Sequence, residues 1–242
     1  MAPLPMARWM NLGVSGQCGW PDRQIEVTFG DYRFVLMPHT KEKSASIHVE
    51  THGPDGLAEM TAINRFLSVI SWAYKGSLEN EYGWSGNPIP VAVPATNLAR
   101  TINPHFLLRW NPLEDQKRRL AVALYREALS VNSLPYQFLG FFKIINILYK
   151  SGPEQVQWIR ATLPRLSDIP ARERLAMRQN AEPDVAQYLY ESGRCAVAHA
   201  FADPLVDPDD LTDLRRLSAD LDVVRALAEY LIEHELDVPR YP

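Results

Sequence analysis

Arg194 and His199, separated by four residues in Tyr188-Leu189-Tyr190-Glu191-Ser192-Gly193-Arg194-Cys195-Ala196-Val197-Ala198-His199-Ala200, are the side chains of this 242-residue chain best suited to act together on a phosphodiester. An imidazole can move protons to and from a 2′-hydroxyl and a leaving oxygen, and a guanidinium can neutralise charge developing on phosphorus. That chemistry needs no metal and no organic cofactor. At 100° per residue, five steps turn a helix by about 140°, so the two side chains share no face of a perfect helix. They can meet if the helix ends near His199. Gly193, Cys195, Ala196, Ala198 and Ala200 are small and allow close packing around them.

The elements that must position this pair are helical. Leu113–Val131 and Pro135–Tyr149 predict two helices, the second apolar nearly all round and so expected at the centre of a bundle, with Lys143 and Asn146 as its polar exceptions. Further helices are expected from Ser151-Gly152-Pro153-Glu154 to about 163, from Ile169-Pro170 to about 180, from 184 to about 200, and over 209–236. Proline in a first turn and acids near N-termini mark these starts.

Residues 1–112 read differently. Gln24–Phe29 and Tyr32–Met37 flank Gly30-Asp31 as a β-hairpin, and Ser44–Glu50 reads as a third strand. Leu57, Met60, Ile63, Phe66, Leu67, Ile70 and Tyr74 recur at helical steps, predicting a helix over 56–75. Gly76–Pro112, rich in Gly, Asn and Pro, is expected to be loop with at most a short strand over 89–93. The fold class is therefore α+β: a β-rich N-terminal module with one helix over 1–112, then an all-α bundle over 113–242.

An arginine followed by His after four residues, late in the third of four principal helices and before an acidic amphipathic helix, resembles the HEPN superfamily. The chain is also similar to the methylamine-utilisation J proteins over about residues 113–242. The HEPN resemblance implies a homodimer in which two signature helices meet, placing both copies of Arg194 and His199 in one cleft. It further implies a metal-independent endoribonuclease that leaves a cyclic phosphate, of the kind found in defence or toxin–antitoxin systems, with an antitoxin or defence partner protein. The alternative is a non-catalytic dimerisation or nucleotide- and RNA-binding protein on the same bundle. Lys143, Asn146 and Tyr190 are then further candidates for RNA contact. Cys195 departs from the pattern, since active members commonly carry Asn, Asp or His directly after the arginine, and a thiol is a weak donor.

Composition bounds the remaining classes. A hydrophobic fraction of 46% with 22% charged residues suits a globular chain, and a net charge of −4 argues against bulk electrostatic coating of nucleic acid. Charge is polarised: residues 115–178 carry +6 and residues 179–242 carry −9. Cys18 and Cys195 form no CxxC pair, and two prolines interrupt the first eight residues, so a cytoplasmic protein without a signal peptide, disulfide framework or membrane span is expected. Gly13–Gly19 lacks a phosphate-loop pattern and is expected to be a turn. His48 and His52 flank Glu50 outside any HExxH frame, so no metal site is expected there. Lys117-Arg118-Arg119 with Arg126 is a solvated face or a contact to a nucleic-acid backbone. The six tryptophans are expected in packing roles.

Overall fold

The computed structural model describes residues 8–52, 56–95, 101–199 and 205–240. They form two compact units, one running to Glu114 and including Arg240, the other from Asp115 to Pro239.

In the N-terminal unit, strands β1 (Arg8–Ser15), β2 (Ile25–Phe29), β3 (Tyr32–Met37) and β4 (Ser46–Thr51) precede helix α1 (Leu57–Tyr74) and strands β5 (Glu79–Asn87) and β6 (Arg109–Trp110). The sheet order is β5-β1-β4-β3-β2-β6, antiparallel throughout except for the β2–β6 edge. Gly30, at φ 55°, closes the β2–β3 hairpin in a two-residue loop. Alternation sends Leu12, Val27, Phe29, Phe34, Leu36, Ile47 and Val49 to one face, where Ile63, Phe66, Leu67 and Ile70 of α1 close a fully buried core.

The opposite face of β4 carries a polar centre. Buried His48 contacts Asn11 Oδ1 through Nδ1 at 2.9 Å and Ser46 Oγ through Nε2 at 2.9 Å. Asn11 Oδ1 also accepts the Val91 N–H at 2.8 Å, while Asn11 Nδ2 donates to Asn87 Oδ1 at 3.0 Å. Because Asn11 Oδ1 only accepts, the His48 proton sits on Nδ1 and the Ser46 hydroxyl donates to Nε2. Burial pushes the His48 pKa down to about 4.

Two expectations need correction here. Gly76–Pro112 holds more strand than expected: Glu79–Asn87 is a nine-residue strand on β1. Its sequence ENEYGWSGN has no β-branched residue, and most of its side chains are exposed, so no hydrophobic alternation announces it. Main-chain pairing defines it, and Gly83 permits that pairing because a Cβ there would lie 2.4 Å from Asn11 O. Ile89–Val93 is not a strand, although Val93 is fully buried and its carbonyl accepts from Ser44 N at 2.9 Å. Likewise Gly13–Ser15 is the end of β1 rather than a turn.

The C-terminal unit is helical: α2 (Gln116–Ser130), α3 (Leu134–Ile145), α4 (Gly152–Thr162), α5 (Ile169–Gln179), α6 (Val185–Tyr188), α7 (Ala196–Ala198) and α8 (Leu211–Tyr230). Side-chain oxygens of Asp115, Asp168, Asp184 and Asp210 cap α2, α5, α6 and α8, and Ser151 with Glu154 forms a capping box on α4. Helix α3 lies between α2 and α8, with Phe138, Phe141, Phe142, Ile144 and Ile145 buried. Among the described residues no helix is long and apolar enough to cross a membrane. The helix expected over 184–200 runs unbroken from Val185 to Ala198, but its middle, Leu189–Cys195, is a π-helical turn between α6 and the short α7.

Candidate functional site

The helix that carries Arg194 is anchored from its first turn. Asp184 accepts the Gln187 N–H at 3.2 Å, and one turn later the Tyr188 hydroxyl donates to Asp220 Oδ2 of α8 at 2.7 Å. Asp220 is almost fully buried and accepts from Arg174 Nε at 2.9 Å and from Arg178 Nε and Nη2 at 2.9 and 2.8 Å. Two guanidiniums and a phenol offset the cost of burying that carboxylate. Burial, followed by donation to Asp220, pushes the Tyr188 phenol up to about 12.

Close packing then fixes the π turn against the bundle. Gly193 lies on the ring of Phe138, so near that a Cβ would fall 2.4 Å from its Cζ. Tyr190 stands edge-on to Phe142 with ring centroids 6.4 Å apart, and its hydroxyl reaches the backbone of Gly152, where a Cβ would fall 2.4 Å away. These contacts require glycine at 193 and 152 and leave Arg194 beside the Tyr190 ring, 5.7 Å from its centroid.

Arg194 and His199 meet. Nη1 of Arg194 lies 3.2 Å from Nε2 of His199 and 3.7 Å from Sγ of Cys195. The helix ends at His199, whose backbone is extended at φ −130° and ψ 113° while its N–H still donates to Cys195 O at 3.0 Å. The imidazole leaves the helix there and folds toward Arg194. Since a guanidinium only donates, Nε2 accepts, and His199 in this arrangement is a neutral imidazole with its proton on Nδ1. Among the described residues no carboxylate pairs with Arg194, and its Nε is buried without a hydrogen-bond partner. Burial first, then the neighbouring Cys195, raises the Tyr190 phenol above its ordinary range.

Tyr190, Arg194, Cys195 and His199 thus form one cluster. Lys143 is exposed on the last turn of α3, and Asn146 caps that helix with Oδ1 buried and unpartnered. Among the described residues, no hydrogen bond or ion pair joins either to the cluster. Arg118 pairs with Asp237 at 3.5 Å, and burial lowers the pKa of Arg126, so the basic start of α2 is partly committed within the unit. His48 is tied to Asn11 and Ser46, whereas Glu50 and His52 line a cleft with Glu59, whose Oε1 accepts the His52 N–H at 2.9 Å. Two clefts went unread in the sequence because distant segments build them. One of about 380 Å³ beside α7 is lined by Pro135, Tyr136, Ala196, Val197, Val206 and Pro208. The other, about 720 Å³ in the N-terminal unit, has Trp9, Tyr32, Arg33, Glu50 and Glu59 in its walls.

A family model described as Methylamine utilization protein MauJ matches residues 121–233. The helical unit therefore resembles MauJ. No curated protein and no solved structure matches the chain. The MauJ-like stretch begins inside α2, contains the whole Tyr190, Arg194, Cys195 and His199 cluster, and includes Asp220 of α8. The six-stranded unit lies outside it.

Proposed function

We propose that the helical unit is a metal-independent endoribonuclease that works as a homodimer, with Arg194 and His199 of both copies lining one cleft. The observation that carries this reading is the 3.2 Å approach of Arg194 Nη1 to His199 Nε2 with no carboxylate on the guanidinium among the described residues. A guanidinium held for structural reasons in a unit this acidic is ordinarily matched by a carboxylate, as Arg174 and Arg178 are. An unmatched guanidinium beside an imidazole is suited to an incoming phosphate.

Substrate phosphate accepts from Arg194 and displaces it from His199, which frees Nε2 as a general base. That nitrogen takes the proton of the RNA 2′-hydroxyl while the 2′-oxygen bonds to phosphorus. The bond from phosphorus to the 5′-oxygen breaks, and the leaving oxygen receives a proton from the partner's His199 in its protonated form. The products are a 2′,3′-cyclic phosphate and a 5′-hydroxyl, with proton and charge balanced. Tyr190 contributes a ring to the guanidinium.

The decisive experiment incubates the purified chain with single-stranded and structured RNA in EDTA. Cleavage that yields cyclic phosphate ends and disappears in both Arg194→Ala and His199→Ala supports the reading. Cleavage that survives either substitution, or that needs a divalent metal, overturns it. RNA binding without cleavage, lost in Arg194→Ala, identifies instead a binding protein on the same scaffold. The half-buried thiol of Cys195, which takes a hydrogen bond from Nη1 of the guanidinium, favours that second reading.

A further inference from the structure

Arg216, on the second turn of α8, reaches across to the π turn: its Nη1 donates to the main-chain carbonyl of Ser192 at 2.5 Å. Its side chain is 22% exposed, and Asp213, three residues earlier on α8, holds the same guanidinium at 3.6 Å. This carbonyl lies in the middle of the π turn, two residues before Arg194.

A π turn holds one residue more than the α-helical turn it replaces and is intrinsically the less stable arrangement. Relaxation to an α-helical register would shift everything after it by one position, rotating Arg194 and His199 together away from their present directions. The packing of Gly193 on Phe138 locates the turn but offers no hydrogen bond to it. A charge-assisted bond from another helix to a carbonyl inside the turn is lost on relaxation, so it selects the π register.

We propose that Arg216 is a positioning residue for the Arg194/His199 pair, acting through the Ser192 carbonyl to hold the π turn. The role deepens the nuclease reading and rests on it for its catalytic meaning, while its structural core concerns the geometry of His199 alone. Arg216 touches neither Arg194 nor His199 among the described contacts; its effect is carried by the backbone.

The test compares full-length wild type with Arg216→Met and Arg216→Lys using two readouts. The first is the ¹⁵N NMR signature of the His199 side chain at neutral pH, assigned by its loss in His199→Gln. In wild type the Nδ1-protonated form dominates because Nε2 accepts from Arg194. In Arg216→Met the signal moves toward the Nε2-protonated form that free imidazoles favour, and Arg216→Lys, which can still donate to a carbonyl, restores much of the wild-type signature. The second readout is cleavage in EDTA, where Arg216→Met lowers kcat about tenfold with little change in KM, the worth of one charge-assisted hydrogen bond. An unchanged His199 signature in Arg216→Met overturns the positioning role whatever the enzyme does. A wild type that cleaves nothing overturns the nuclease reading, and the NMR comparison still decides the role of Arg216. Should Arg216→Met fail to fold, judged by circular dichroism, Arg216→Lys and Arg216→Gln carry the comparison: a wild-type signature in the glutamine variant, whose neutral amide is too short to span the same gap, sinks the proposal.

Discussion

Nη1 of Arg194 and Nε2 of His199 stand 3.2 Å apart at the end of a helix that, drawn without interruption, would point them about 140° away from each other. The contact requires a donor of fixed shape. Lysine at 194 keeps the positive charge but replaces a planar fork by a single ammonium that cannot hold His199, Cys195 and a phosphate oxygen together. On the proposed nuclease reading, Arg194→Lys is therefore expected to lower single-turnover cleavage in EDTA by roughly 10²-fold or more, the scale of losing a preorganised transition-state donor. Filter-binding affinity for the same RNA should fall only a fewfold. Equal losses in binding and cleavage would mean that Arg194 contributes charge and not geometry.

Gly193 tests the packing that places the cluster. In an exposed helix, Gly→Ala gains up to about 1 kcal/mol of helix propensity. Here the added methyl would lie 2.4 Å from Cζ of Phe138, a ring with no exposed surface that is stacked on Phe142 at 6.0 Å. A ring so enclosed cannot step aside, and overpacking of that kind costs about 1–3 kcal/mol. Gly193→Ala should therefore lower the urea midpoint of the helical unit. A midpoint at or above wild type would show that the π turn yields to the methyl group.

The partial legibility of the molecule has physical causes. The β2–β3 hairpin was readable because alternation and a Gly-Asp loop are local signals, and so were the capped helices α2, α4 and α5 and the proline-started α3. Strand β5 was not, because pairing with β1 is a non-local main-chain event and its side chains are mostly exposed. That Arg194 and His199 can meet was legible, as was the condition that the helix end at the histidine. The π turn that precedes it could not, because it depends on Phe138 of α3 and Arg216 of α8, distant in sequence from the segment they shape. Tyr190 joins the cluster through its neighbours in the same turn, whereas Lys143 and Asn146, chosen as polar exceptions on an apolar helix, occupy the rim and the cap of α3.

Asp220 carries the next expectation. Its buried carboxylate accepts three guanidinium N–H bonds and one phenol O–H bond from α5 and α6. Asp220→Asn preserves size but removes the charge and turns an N–H₂ group toward donors, leaving Arg174 and Arg178 partly buried and uncompensated. Breaking a buried ion pair from one side costs about 3–5 kcal/mol. The urea midpoint should fall accordingly, and Asp220→Ala should be no milder. A loss below about 1 kcal/mol would place Asp220 among ordinary surface pairs.

His48 makes the stability of the N-terminal unit depend on pH. Its folded pKa of about 4 lies below the ordinary imidazole value of 6.5 that holds in the unfolded chain, so the folded state prefers the neutral ring. Between these values the unfolded chain binds more protons, and stability rises with pH. The contribution is complete above pH 6.5, declines as pH falls toward 4, and amounts to about 3 kcal/mol. The Ser46 hydroxyl can rotate to accept from a protonated Nε2, so the penalty comes from burying charge rather than from a broken hydrogen bond. Five of the six tryptophans lie in this unit, Trp158 being the exception, so fluorescence reports chiefly on its unfolding. Urea midpoints should fall steeply from pH 6.5 to 4.5 in wild type and much less in His48→Gln, which starts lower because the buried network loses its ring. Parallel pH profiles in the two proteins would show that another group governs the acid limb.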